Sequence, residues 1–398
     1  MGYMNGGGVE QVVMNYYRHV DRARVQFDFI VCEGSGLIPR EEIESMGGRV
    51  FTVPPYGSLP RYMREIEVLF REQGWPIVHS HVNALSVFPL RAAERADVPV
   101  RIASSHSSGG GGKGETVRDL AKGILRRFST VYPTDLLACS HVAGDWLFGE
   151  DADYSVLPNA VDLTRFESDE DLGASLRRSL DAGEDMFVIG HIGRMAPQKN
   201  HSFLLEVFRE VQRIRPDSLL VLAGDGPLLS DVRMESDVLG LGKSVRFLGQ
   251  ISDVNALYQA IDVFCLPSVY EGLPVVSIEC QASGTPILAS DAVTREAAAT
   301  DLMEFESLDS SPEKWAEHLL SMKRDGKDFN ASDMHDFDID VCAKRLADYY
   351  ESRLKGLPDG GGGEPFARPH DRDEHATWRH GDVHHECLPR HGSNEGAV

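Results

Sequence analysis

The sequence predicts an α/β protein built of two doubly wound domains. Three observations carry the prediction. The chain has 398 residues, enough for two ordinary domains, and 42 % of them are hydrophobic, enough to fill their cores. Short apolar runs alternate with amphipathic helical stretches almost from end to end, the pattern of parallel sheets flanked by helices. The alternation then restarts after a polar, acidic interval at 167–184.

In chain order, strands are expected over 25–31, 49–53, 77–80 and 100–104, with helices over 60–73 and 85–95 between them. The second half is expected to hold strands over 186–192, 218–223, 244–248, 263–267 and 286–289. These runs divide the chain into an amino-terminal unit over 1–165 and a second unit over 166–338, with the boundary inside 162–184. A last helix is expected over 339–355. Beyond it, a glycine run at 360–363 and polar residues without periodicity predict a disordered tail over 356–398. Six of the fifteen histidines lie in that tail.

The start of the chain breaks the pattern. A glycine turn, Asn5-Gly6-Gly7-Gly8, comes after only four residues. In doubly wound folds such a turn follows a buried strand, and strands ordinarily run about five or six residues. Two expectations follow: a missing or very short first strand, or a native chain that begins upstream of Met1.

A formal net charge of −22 excludes nucleic acid as a favoured partner, because phosphate backbones are repelled. The six cysteines lack CxxC spacing, so no disulfide framework or zinc site is expected, which suits a reducing cytoplasm. No apolar run reaches the length of a membrane span.

The most informative stretch is 267–286, Pro-Ser-Val-Tyr-Glu-Gly-Leu-Pro-Val-Val-Ser-Ile-Glu-Cys-Gln-Ala-Ser-Gly-Thr-Pro. An apolar strand leads into a turn at Glu271-Gly272. Leu273 and Pro274 then open a helix that Gly284 closes. A loop feeding a helix start gathers free N–H groups and partial positive charge, a site for a diphosphate. Glu271 and Glu279 are separated by seven residues, one in the loop and one in the helix, so they can meet different parts of one ligand. After the strand at 186–192 come Gly193, Arg194 and Lys199. The arginine offers a planar fork and the lysine a point charge to a developing anion.

With these residues in place, the pair Glu271 and Glu279 resembles the E-x7-E signature of retaining glycosyltransferases of family 4, which share the two-Rossmann-domain GT-B fold. Gly193-Arg194 and Gln198-Lys199-Asn200 resemble that family's phosphate-binding segment, and Gly224-Asp225-Gly226-Pro227 its next strand-end turn. The run from Phe247 through Ile251 to Asp253 resembles the segment beside the base, and Gly6-Gly7-Gly8-Val9-Glu10 the amino-terminal glycine loop. The likeness spans about 5–354, and the text at 290–315 further resembles exopolysaccharide- and capsule-building members.

The resemblance implies an enzyme that needs no cofactor or metal. It would transfer a sugar, with retention, from a UDP- or GDP-linked donor to a glycan or lipid-linked acceptor. Glu279 would hold the ribose and Glu271 the donor sugar. His106, Arg194 and Lys199 would join Glu271 at the reacting centre. Gly7, Gly8, Gly193, Gly224, Ile251, Gly272, Leu273 and Pro274 would line the donor site. The amino-terminal unit would take the acceptor, and the last helix would return to it.

His79, His81 and His106 follow expected strands, where sites form in open α/β sheets; as turn or capping residues they would need no function. Gly109-Gly-Gly-Gly-Lys113-Gly114 imitates a phosphate loop but lacks its first glycine and its hydroxyl residue, so an acceptor-gating loop is expected there. The stretch from Arg118 to Phe128 sets Arg118, Lys122, Arg126 and Arg127 among Leu120, Ile124 and Leu125. Such a helix can rest on anionic lipid, or pack on its own domain with its charges in water. Two rivals stand beside the transferase reading: a nucleotide-sugar epimerase of the same fold and an inert nucleotide-sugar binder.

Overall fold

A computed structural model describes residues 1–109, 123–324 and 331–356. The glycine-lysine loop from 110 on, residues 118–122 of the basic stretch and the tail beyond 356 therefore lie outside the described residues. The first half carries α1 (Gly8–His19), β1 (Phe29–Cys32), α2 (Arg40–Ser45), β2 (Val50–Val53), α3 (Leu59–Gln73), β3 (Ile77–Ser80), α4 (Val87–Arg95), β4 (Val100–Ser105), β5 (Asp135–Ala138), α5 (His141–Phe148) and β6 (Ser155–Val156). The second half carries α6 (Glu170–Ser179), β7 (Phe187–Ile192), α7 (His201–Ile214), β8 (Ser218–Ala223), α8 (Leu229–Val238), β9 (Val245–Gly249), α9 (Val254–Ala260), β10 (Val263–Leu266), α10 (Val275–Ala282), β11 (Ile287–Ser290), β12 (Met303–Glu306) and α11 (Pro312–Ser321). A final helix, α12 (Ile339–Lys355), closes the described chain.

The second half forms one parallel sheet in the order β12-β11-β10-β7-β8-β9. Helices cover both of its faces, so its strands read as continuous apolar runs rather than alternating ones. Every residue of β8 is buried. Leu219 and Val221 face one core cluster, with Phe264 and Ile278; Leu220 and Leu222 face another, with Phe208 and Trp315.

The first half is built differently. Its parallel strands fall into two sheets, β1-β2 and β3-β4-β5-β6. Residues 25–28 were expected to be strand, but pairing begins only at Phe29. Instead, Phe27 stacks on Tyr17 and meets Tyr350 of α12 edge-on, while Arg24 pairs with Asp348 and Glu351. Helix α12 thus lies against the first half, where Leu346, Tyr349 and Tyr350 share a core cluster with Val12, Tyr16 and Ile102.

Strands β5, β6 and β12 carry weak sequence signals. β5 has only Leu136 and Leu137 as large apolar residues, β6 has two residues, and β12 alternates with Glu304 and Glu306. Pairing to neighbours supplies what their own sequence lacks. Among the described residues, no helix is long and apolar enough to cross a membrane. Of the basic segment, Ile124 and Phe128 are exposed, and Arg126 lies over the Trp146 ring.

Candidate active site

The carboxyl ends of β7, β8 and β9 are stitched together by backbone hydrogen bonds. Gly193 N–H donates to Ala223 and Gly224 N–H to Gly249, at 3.0 and 2.7 Å. Gly224 has φ +130°, and a Cβ there would collide with the Gly193 carbonyl. Only glycine permits that approach, so the two strand-end turns touch.

Past this junction a short 3-10 turn, Pro197–Lys199, carries the first charged group. Lys199 Nζ lies 2.6 Å from Glu271 Oε1. Gln198 Nε2 donates to Glu271 Oε2 at 3.1 Å and to the Tyr270 carbonyl at 3.0 Å. Val269 N–H donates back to the Gln198 carbonyl at 2.8 Å. Residues 198–199 and 269–271 therefore form one lodge in which a buried carboxylate is held by an amide and an ammonium. Arg194 is exposed, with no ion-pair partner among the described residues.

Pro274 caps α10 with extended backbone. This leaves the N–H groups of the first turn directed toward the Gly272-Leu273 loop. Glu279 follows one turn later, 8 % exposed. Tyr258 donates its hydroxyl to Glu279 Oε2 at 2.9 Å. Burial pushes the Glu279 carboxyl above the usual carboxylate range, against the Tyr258 hydrogen bond and the pull of Arg165. A polar ligand group with hydroxyls to donate would suit it.

The first half brings its histidines to the same place. His106 follows β4, and its carbonyl lies 2.6 Å from where a Cβ on Gly272 would stand. Ser108 Oγ donates to the Glu271 carbonyl. Ser140 Oγ and Asn159 Nδ2 donate to the carbonyls of Gly272 and Leu273 at 2.9 and 2.6 Å. The two halves thus meet on the loop between Glu271 and α10.

His81 Nδ1 lies 3.0 Å from His106 Nε2. His79 is held by the Tyr350 hydroxyl and Ser104, each at 2.6 Å, and its ring lies 4.0 Å from that of His81. Burial lowers all three rings: His79 to about 3, His106 to about 4 with Asn159 acting the other way, and His81 well below its ordinary value. The cluster is neutral at pH 7, a set of donors and acceptors rather than of charges.

The amino-terminal glycine loop opens onto the cleft: a Cβ on Gly6 would stand 3.9 Å from Gln250 Nε2, one residue before Ile251. Its N–H groups are occupied from within. Asn5, Gly6 and Gly7 donate to Glu10 Oε2 at 2.8, 2.5 and 2.8 Å, while Gly8 starts α1.

Lys199, Glu271, Gly272, Leu273, Pro274 and His106 therefore share one cleft wall, while Glu279 lies deeper in α10; Gly6 stands across from Gln250, with Gly7 and Gly8 next along the chain. Sequence reasoning missed Asn159 and Tyr258, and it named Gln198 and Glu10 only as members of their segments, without a role of their own. Asn159 and Tyr258 read as ordinary polar residues, since their partners are distant in the chain. Glu10 had a signal: a carboxylate three residues after Gly7, the spacing that returns to a helix start.

Comparison with known proteins places the two halves. Residues 174–330 match the family model of glycosyl transferases group 1, and residues 7–160 that of the glycosyl transferase 4-like domain. EpsF of Bacillus subtilis, named as a glycosyltransferase, is 36 % identical over 332 residues, covering 81 % of this chain and 86 % of that one. The UDP-Gal:α-D-GlcNAc-diphosphoundecaprenol α-1,3-galactosyltransferase of Escherichia coli is 28 % identical, over 71 % and 76 % of the two chains. Anabaena HepE, solved with UDP and glucose, superposes with a TM-score of 0.73 at 17 % identity, over 88 % of this chain and 98 % of its own.

Proposed function

The chain belongs to the group 1 glycosyltransferases of GT-B fold, and from that premise we propose that it moves a sugar, with retention, from a UDP- or GDP-linked donor to a glycan or lipid-linked sugar in exopolysaccharide or capsule synthesis. The observation that carries the reading is the lodge of Lys199, Gln198 and Glu271 beside the start of α10. Breaking the bond from sugar to diphosphate creates negative charge on the leaving group. Lys199, the free Arg194 fork and the first-turn N–H groups of α10 meet that charge where it develops. Gly193 and Gly224 let the backbone of two strand ends come close to the phosphates.

Glu271 orients the donor sugar and leaves Lys199 when the diphosphate arrives. Glu279, held by Tyr258, takes the ribose hydroxyls, and Ile251 lies beside the base. His106 faces the sugar from the acceptor side, and Gly7 and Gly8 close the cleft over it. No metal is needed in this scheme, because side-chain cations and a helix start supply the positive charge. Two relatives support the donor and acceptor classes: the Escherichia coli enzyme is named for UDP-Gal and a diphosphoundecaprenol-linked sugar, and HepE was solved with UDP.

The test is a panel of UDP- and GDP-sugars with lipid-linked and free glycan acceptors, run with and without EDTA. The expected product is a new glycoside of retained configuration, formed equally in chelator. An epimerised free nucleotide sugar as the only product, or activity lost in EDTA and restored by magnesium or manganese, would overturn the reading.

A further inference from the structure

In the second-half sheet, β7 is the first strand. The chain steps from it to β8 and β9 on one side, then to β10, β11 and β12 on the other. In open α/β sheets a ligand sits in the crevice outside the carboxyl ends of the two strands where the order reverses, here β7 and β10. Backbone pairing between these strands covers Val263 with Ile189 and Phe264 with Gly190. One residue further on, a side chain joins them: His191 Nδ1 lies 2.8 Å from the Cys265 carbonyl. The His191 ring stacks on Phe264, with centroids 5.9 Å apart, and meets the His201 ring edge-on at 4.8 Å. The ring is thus fixed from three directions where β7 and β10 part.

A carbonyl can only accept, so Nδ1 carries the ring proton. His191 is fully buried. Burial first, and then the neighbouring His201, hold it well below its ordinary value, so the ring is neutral at pH 7. Its other nitrogen, Nε2, is therefore a lone-pair acceptor. It has no hydrogen-bond partner among the described residues. Buried polar groups are ordinarily paired, so a buried acceptor at the base of a ligand crevice calls for a donor.

Lys199 is the neighbouring side chain rich in donors. The point where a Cβ on Gly193 would stand lies 3.0 Å from His191 Nε2, 3.1 Å from Lys199 Cε and 3.2 Å from Lys199 Cδ. The lysine stem and the ring nitrogen therefore border one small space, which the glycine leaves open. At its tip, Lys199 Nζ rests on Glu271 Oε1 at 2.6 Å. An ammonium has three N–H groups to place, on a flexible stem that does not aim them by itself.

We propose that His191 is a positioning residue for Lys199: when a diphosphate draws the ammonium off Glu271, His191 Nε2 accepts one of its N–H groups and the other two face the phosphate oxygens. The lysine then moves between two defined seats instead of swinging free. This rests on the reading of Lys199 as a cation of the donor site.

The test measures the affinity of UDP and GDP by calorimetry in His191→Asn, His191→Gln, Lys199→Ala and the double variant His191→Asn with Lys199→Ala. The asparagine amide can still donate to Cys265 but places no atom at the Nε2 position, whereas glutamine can set its oxygen there. For the nucleotide that the unaltered protein binds more tightly, His191→Asn should weaken affinity about tenfold, and His191→Gln should recover it to within about threefold. In the Lys199→Ala background, His191→Asn should cost less than about twofold, because the donor is already gone. A histidine that only packs would weaken both backgrounds alike. A second measurement keeps His191 in place: in protein with isotope-labelled histidine, saturating nucleotide should move the His191 Nε2 nitrogen resonance upfield, as for a lone pair that accepts a hydrogen bond, and Lys199→Ala should abolish the movement. Equal losses from His191→Asn in the two backgrounds, or an unmoved Nε2 resonance, would overturn the proposal and leave the donor site standing. Normal affinity in Lys199→Ala alone would overturn the donor-site reading and the proposal with it.

Discussion

The two halves of this molecule solve the same architectural problem unequally. In the second half, six parallel strands form one unbroken sheet, and the turns after its inner strands are locked by backbone bonds between Gly193, Ala223, Gly224 and Gly249. In the first half, the strands fall into two separate sheets, β1-β2 and β3-β4-β5-β6, with a cavity between them. The contrast teaches where a rigid site can be built. Lys199 and Glu271 stand on ends fixed from both sides. Gly7 and Gly8 stand on a loop whose N–H groups are occupied by Glu10, after four residues held by a few bonds.

The largest expected effect tests the core of that comparison. Leu220 is fully buried in the middle of β8, so Leu220→Ala should cost about 2–5 kcal/mol. Ile30, half-buried beside the gap, already borders empty space, so Ile30→Ala should cost less than half as much. Urea denaturation of both variants decides it, and equal losses would break the comparison.

A second prediction concerns the histidine cluster. Its rings titrate below their unfolded value of about 6.5, with His106 near 4 and His79 near 3. As pH falls, the unfolded chain takes up protons before the folded one does. Stability is therefore complete above about pH 6.5 and is lost as pH falls toward 4, by up to about 1.4 kcal/mol per pH unit for each ring. Melting temperatures across pH 7.5 to 4.5 should show that fall, and His79→Gln should make it shallower. An unchanged profile in the variant would remove the neutral-cluster account.

His81 offers a finer probe, because it is the partner of His106 Nε2. His81→Ala leaves that nitrogen buried without its protein partner, at about 1–3 kcal/mol, whereas His81→Asn can restore a donor. The expected pattern is a lowered kcat in the alanine variant with partial recovery in the asparagine variant. Equal activity in both would show that His81 only fills space. The smallest effect belongs to the Met1 amine. With its folded value near 6 against about 8 unfolded, stability should decline as pH falls from 8 to 6, and any amide-linked extension should abolish that decline.

The sequence made the second half legible because buried parallel strands are continuous apolar runs. The expected 218–223 coincides with β8, and the expected 263–267 overruns β10 by one residue. Alternation failed where tertiary pairing supplied the order: β5, β6 and β12 are short or charged strands held by neighbours. At the site, charged residues beside strand-end glycines could be read from spacing alone. Asn159, whose amide reaches the Leu273 carbonyl across 114 residues, has no local signature because its role exists only once the two halves meet; Tyr258, whose hydroxyl meets Glu279, has none because its partner lies on a different helix of the second half.

The most direct test of the donor site is the binding and turnover of nucleotide sugar by Arg194→Ala and Lys199→Ala beside the unaltered enzyme. Each removed cation supplies a charge-assisted hydrogen bond of about 1.5–3 kcal/mol. Nucleoside diphosphate affinity and kcat/KM should then each fall by about 10- to 150-fold. Removing Lys199 also leaves the Glu271 carboxylate buried with only Gln198, so that variant alone should melt lower. Arg194→Ala, at an exposed position, should fold as stably as the parent. Normal affinity and turnover in both variants would contradict the assignment of this strand-end lodge as the donor site.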